Sequence, residues 1–74
     1  MKRKYRLEDY DISASEFSAL VDEWVFNERD RAIFKRSVLD GIPFEPLAEE
    51  FDLSVPQVKN IVYKCGKQVF KRIN

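Results

Sequence analysis

The sequence predicts an all-α fold, a small domain of four helices, and three observations predict it. Apolar residues recur at helical spacing in four separate stretches, and no alternating strand pattern competes with them. Two capping boxes of the S-x-x-E/Q type, Ser13 with Glu16 and Ser54 with Gln57, mark helix starts. Seventy-four residues, 45% apolar and 14% aromatic, can close one hydrophobic core, near the lower size limit for a domain held without disulfides or a metal.

Residues 1–12 show no sustained helical period and mix charges with Tyr5, Leu7 and Tyr10, so they read as a basic N-terminal arm. The first helix is expected over 13–26. Its apolar positions Phe17, Leu20, Val21, Trp24 and Val25 form one continuous stripe. Asn27 is the expected cap of a second helix over 28–40, with Glu28 and Asp30 in its first turn, where the helix dipole favours negative charge. Ile33, Phe34 and Val38 give this helix an inner face, and Gly41 ends it because glycine adopts left-handed backbone at little steric cost.

A third helix is expected over 44–52, opened by Pro43 and Pro46, since proline in a first turn gives up an N–H that had no partner. Leu47, Ala48 and Phe51 are its buried side. The fourth helix, over 54–73, follows a turn at Asp52-Leu53 and turns Val58, Ile61, Val62, Cys65, Val69 and Ile73 inward. Gly66 interrupts it at a cost of roughly 1 kcal/mol against Ala, and is the expected site of a kink or an early end.

Cys65 is the one cysteine and histidine is absent, which excludes an intramolecular disulfide and leaves a thiolate zinc site short of ligands. The basic start is followed by "LEDYD" rather than an apolar run, so neither a leader peptide nor a membrane span is expected, and the chain reads as cytoplasmic. Thirteen basic and thirteen acidic side chains cancel, but not locally: residues 1–6 carry +4, residues 7–53 carry −9, and residues 54–74 carry +5 with no acid. That asymmetry points to a polyanionic partner for one end of the molecule.

The third and fourth helices, joined by a tight turn, describe a C-terminal helix-turn-helix. Two helices crossing steeply need a small residue at closest approach, which Ala48 supplies, and a turn residue tolerant of left-handed geometry, where Asp52 is acceptable and glycine better. With the inner face fixed by period, the outer face of the last helix is Pro56, Gln57, Lys59, Asn60, Tyr63, Lys64 and Lys67. Those side chains are the expected DNA-binding set. Gln57 and Asn60 can pair adenine bidentately, Pro56 and Lys59 lie near bases with them, and Lys64 and Lys67 fall nearer phosphate.

The run from Arg29 to Ile73 resembles region four of bacterial sigma factors, which reads the promoter −35 element, and the related LuxR-type C-terminal domain. The residues that carry the resemblance are "RDRAIF" with Arg29 and Arg31, "LDG" at Leu39 to Gly41, "LAEEFDLS" at Leu47 to Ser54 and "VKNIVYK" at Val58 to Lys64. The resemblance implies double-stranded DNA as a partner and an apolar surface on the earlier helices that holds a polymerase flap. Three positions depart from the pattern: Pro43 and Pro46 flank an aromatic usually set between Ser and Glu, Asp52 replaces the turn glycine, and Pro56 replaces a small polar residue. No polymerase-binding region of a sigma factor precedes the domain, so the expectation is a free-standing regulator of the phage or mobile-element type.

Beside these readings stand plainer ones. The apolar stripes are core, Trp24 is a core residue before it is a partner anchor, and Cys65 on the apolar stripe is a small buried hydrophobe. The basic arm is either a tail or a strand-contacting segment. Glu49 and Glu50 have no histidine, nucleophile pair or glycine-rich phosphate loop beside them, so neither catalysis nor a cofactor or metal is expected. Two functions compete: a DNA-binding transcriptional regulator, which needs homodimerisation or a partner for useful affinity, and a module that binds RNA polymerase or a sigma factor through the acidic middle and Trp24. A phage terminase or recombination accessory protein is a third reading.

Overall fold

Four helices follow one another with short connections in the computed structural model, which describes Leu7 and residues 10–73. They are α1 (Ala14–Trp24), α2 (Glu28–Val38), α3 (Phe44–Phe51) and α4 (Val55–Phe70). Among the described residues there is no strand, and the fold is all-α. α4 touches each of the other three helices and packs most extensively on α2.

Local chemistry sets the helix starts. Ser13 Oγ accepts the Glu16 N–H at 3.1 Å while the Glu16 carboxylate accepts the Ser13 N–H at 3.2 Å, closing the first capping box. Asn27 Oδ1 accepts the Asp30 N–H at 3.1 Å at the head of α2. α3 starts on Pro43, which offers no side-chain cap. Each satisfied N–H removes an unbonded donor from a helix end.

The helix ends fall earlier than the sequence suggests. α1 stops at Trp24 rather than 26 because Asn27 can cap α2 only from extended backbone, and the chain has already straightened at Val25 (φ −110°, ψ 106°). Phe26 is left outside, 78% exposed. α2 ends at Val38 rather than 40, and Gly41 takes φ 68° as Ile42 N–H reaches back to the Arg36 carbonyl at 3.2 Å. α4 neither kinks into a new element nor ends at Gly66. It runs on to Phe70, with Gly66 buried in its inner face.

Phe17, Val21, Ile33, Phe34, Leu47, Val58 and Val69 are fully buried in one core. Phe70 joins this core, meeting Phe17 at 5.6 Å and Phe34 at 6.1 Å between ring centroids. Tyr10 lies on Phe70 at 4.3 Å, and Leu7 and Ile12 also pack against the core. Of the arm expected over 1–12, these three residues pack onto the helical core. The basic residues of that arm, Lys2, Arg3, Lys4 and Arg6, lie outside the described residues. After Phe70 the chain makes a turn, with Arg72 N–H on the Val69 carbonyl and Ile73 N–H on that of Phe70, and so returns Ile73 to the core without extending the helix.

Candidate nucleic-acid interface

The α3 to α4 connection is three residues long and tightly specified. Asp52 sits in left-handed backbone (φ 56°, ψ 47°), where its short polar side chain costs less than a branched one would. Its N–H reaches the Glu49 carbonyl at 3.3 Å and the Leu53 N–H reaches the Ala48 carbonyl at 2.8 Å, a Schellman closure with Leu53 packed on the core behind it. Ala48 is buried in the core. Ser54 then caps α4.

This frame holds the outer side of α4 to solvent. Pro56, Gln57, Lys59, Asn60, Lys64 and Lys67 are exposed, as are Gln68, Lys71 and Arg72 beyond them. Tyr63 departs from the expected outer face: it is half-buried, packed edge-on against Phe44 at 6.3 Å, with the Lys59 ammonium 5.7 Å from its ring. Its body belongs to the α3 to α4 contact, and it supports Lys59 from below. Asn60 and Lys67 have no side-chain partner among the described residues, which leaves both able to meet a ligand without first breaking a bond.

Two further members of the expected set are already engaged. Gln57 Oε1 accepts the Ser54 N–H at 2.8 Å and the Gln57 N–H donates to Ser54 Oγ at 3.2 Å, so this residue closes the second capping box. Lys64 is not uncompensated, as its helix alone suggests. Its Nζ lies 3.5 Å from Oδ2 of Asp30, a carboxylate only 7% exposed at the head of α2, whose other oxygen accepts from Arg29 at 3.1 and 3.3 Å. A partner thirty-four positions away along the chain leaves no local signal in the sequence.

The neighbouring surfaces differ in sign. Exposed Glu45, Glu49 and Glu50 make the outer side of α3 acidic, with Glu50 bound to Arg36 at 2.9 Å. Asp22 on α1 pairs with Lys35 at 2.7 Å, and that hydrogen bond draws its carboxyl below the ordinary carboxylate range. Cys65, inward on α4, has its thiol pushed up to about 11, first by burial and then by the Asp30 charge. It is therefore a thiol at neutral pH and no nucleophile.

A shallow groove lies between residues 10–12, α1 and the turn after α4. Tyr10, Ile12, Leu20, Glu23, Arg72 and Ile73 line it. Beside it the Arg72 guanidinium stacks on the half-buried Trp24 at 3.6 Å, a contact that neither residue's position in the sequence announces. Among the described residues, no group of three or more His, Cys, Asp or Glu side chains is placed to hold a metal, and no helix is long and apolar enough to cross a membrane. Comparison of the chain with protein-family models, curated proteins and solved structures finds no match.

Proposed function

We propose that this chain is a sequence-specific DNA-binding protein, a transcriptional regulator of the sigma region four-like kind, that inserts α4 into the major groove. One observation carries the reading: a capped helix behind a three-residue turn presents Lys59, Asn60, Lys64 and Lys67 outward, with no acid among the described residues from Ser54 onward. A major groove accepts a helix of this kind, and its phosphates supply the negative charge that α4 lacks. Asn60 is the base-reading side chain that is free to pair, Lys67 is placed for phosphate, and Lys59 stands between these roles. The acidic side of α3 limits non-specific attraction, so affinity depends on a second copy or a partner bound nearby.

A second reading has its own support in the groove beside Trp24, where apolar side chains flanked by Glu23 suit a basic, apolar segment of a protein such as RNA polymerase or a sigma factor. Binding by variants separates the two. On a duplex selected from a random pool, Asn60→Ala should relax preference at one base pair and cost about 1–3 kcal/mol, whereas Lys67→Ala should weaken all duplexes alike and lower the salt slope by about 1. Absence of binding to any duplex at low salt, with polymerase subunits retained by the chain, selects the second reading.

A further inference from the structure

Gln57 stands at the leading end of α4 and is bound into its cap, and this restricts what it can read. The Ser54 backbone N–H is a donor only, so the atom facing it at 2.8 Å is the amide oxygen of Gln57 and not the nitrogen. The residue is otherwise exposed, so the group turned to solvent is the NH2. A bidentate pair with adenine needs both ends of the amide, the oxygen accepting from N6 and the nitrogen donating to N7. With the oxygen held by the Ser54 N–H, the outward NH2 finds on adenine a single acceptor, N7, beside an N6 amino group that opposes it donor to donor. Guanine offers acceptors at both N7 and O6.

Resting on the DNA-binding reading above, the geometry points to Gln57 as a donor-only reader that selects guanine over adenine at the base pair it faces, while its oxygen holds the start of α4 in place. The two roles are inseparable in the wild-type side chain but separable by substitution. Gln57→Glu keeps an oxygen for the Ser54 N–H, and hence the capping box, but removes the outward donors. Gln57→Ala removes both.

The test selects preferred duplexes from a random pool for the full wild-type chain, then measures Kd for single-base changes with wild type, Gln57→Glu and Gln57→Ala at one salt concentration. Thermal melts by circular dichroism accompany each variant. One base pair should show guanine preferred over adenine by about fivefold or more, the low end of a good base contact, and Gln57→Glu should abolish that preference while melting close to wild type. Three results overturn the proposal: adenine preferred at the pair whose selectivity Gln57→Glu alters, a Gln57→Glu that weakens every duplex equally, or a Gln57→Glu that leaves the guanine preference intact. If no duplex binds at all, the DNA-binding reading falls and this one with it, an outcome distinct from the first three.

Discussion

Replacing Asp30 by Asn should make the protein bind DNA more tightly while making it less stable. The Asp30 carboxylate is buried and holds the Lys64 ammonium 3.5 Å away, and the Lys64 side chain is 69% exposed. With one partner so well solvated, the water-like limit of Coulomb attraction applies, about 1 kcal/mol at this separation. Lys64 must give up that attraction to engage a phosphate. Neutralising Asp30 should therefore tighten DNA binding about fivefold and steepen the log–log dependence on salt by up to about 0.9. Asn keeps the side-chain size and an acceptor for Arg29, and the Asn27 cap is untouched because it uses the Asp30 backbone N–H. The loss of stability should thus be about 1 kcal/mol, the net worth of a typical hydrogen bond. Anisotropy of a labelled duplex from about 50 to 200 mM salt, with circular dichroism melts in parallel, reads both quantities. A folded Asp30→Asn chain that binds no more tightly than wild type would show that Lys64 does not reach phosphate.

Phe70→Leu trims the ring that Phe17, Phe34 and Tyr10 surround; it should cost about 1–2 kcal/mol and lower Tm by several degrees in a thermal melt, and an unchanged Tm would place the core elsewhere. Cys65, buried with its thiol raised to about 11, should react with an aromatic disulfide reagent only on unfolding; fast labelling of the native chain contradicts that placement. Because the Asp22 carboxyl is depressed by Lys35, its contribution is present above the unfolded carboxylate range and fades as pH falls through the lower folded value. Asp22→Asn should accordingly flatten the acid limb of a Tm against pH curve, and an acid limb identical to wild type counts against the pair.

Helix starts were legible because they are written locally. Ser13 with Glu16, Asn27, and Ser54 with Gln57 are each a cap within four residues of its own donor, and all three caps form. Helix ends were less legible because there neighbours compete. Nothing in the apolar stripe of α1 says that Asn27 will need extended backbone before it, and Ile73 fits the helical series of α4 as well as the turn that carries it. Phe70 was missed as a core residue because it falls beside the expected stripe, and Tyr10 because a single aromatic ring makes no period.

For the candidate interface, period alone placed Pro56, Lys59, Asn60 and Lys67 outward, but it could not see what folding brings to their neighbours. Tyr63 meets Phe44 across the turn, and Lys64 meets Asp30 from α2; both partners are distant in the chain. Gln57 is a different case. The same residue signals a cap and suggests a base reader, and only the observed bond between Ser54 N–H and its amide oxygen decides which atoms remain available.

DNA recognition through α4 is tested most directly by following the backbone amide spectra of the full chain as a mixed-sequence duplex is added at low and at moderate salt. Salt-sensitive shifts concentrated on residues 55–67, with those of α1 unmoved, are the predicted result. Shifts confined to the Tyr10, Leu20 and Trp24 side of the molecule, or none at low salt, would contradict it.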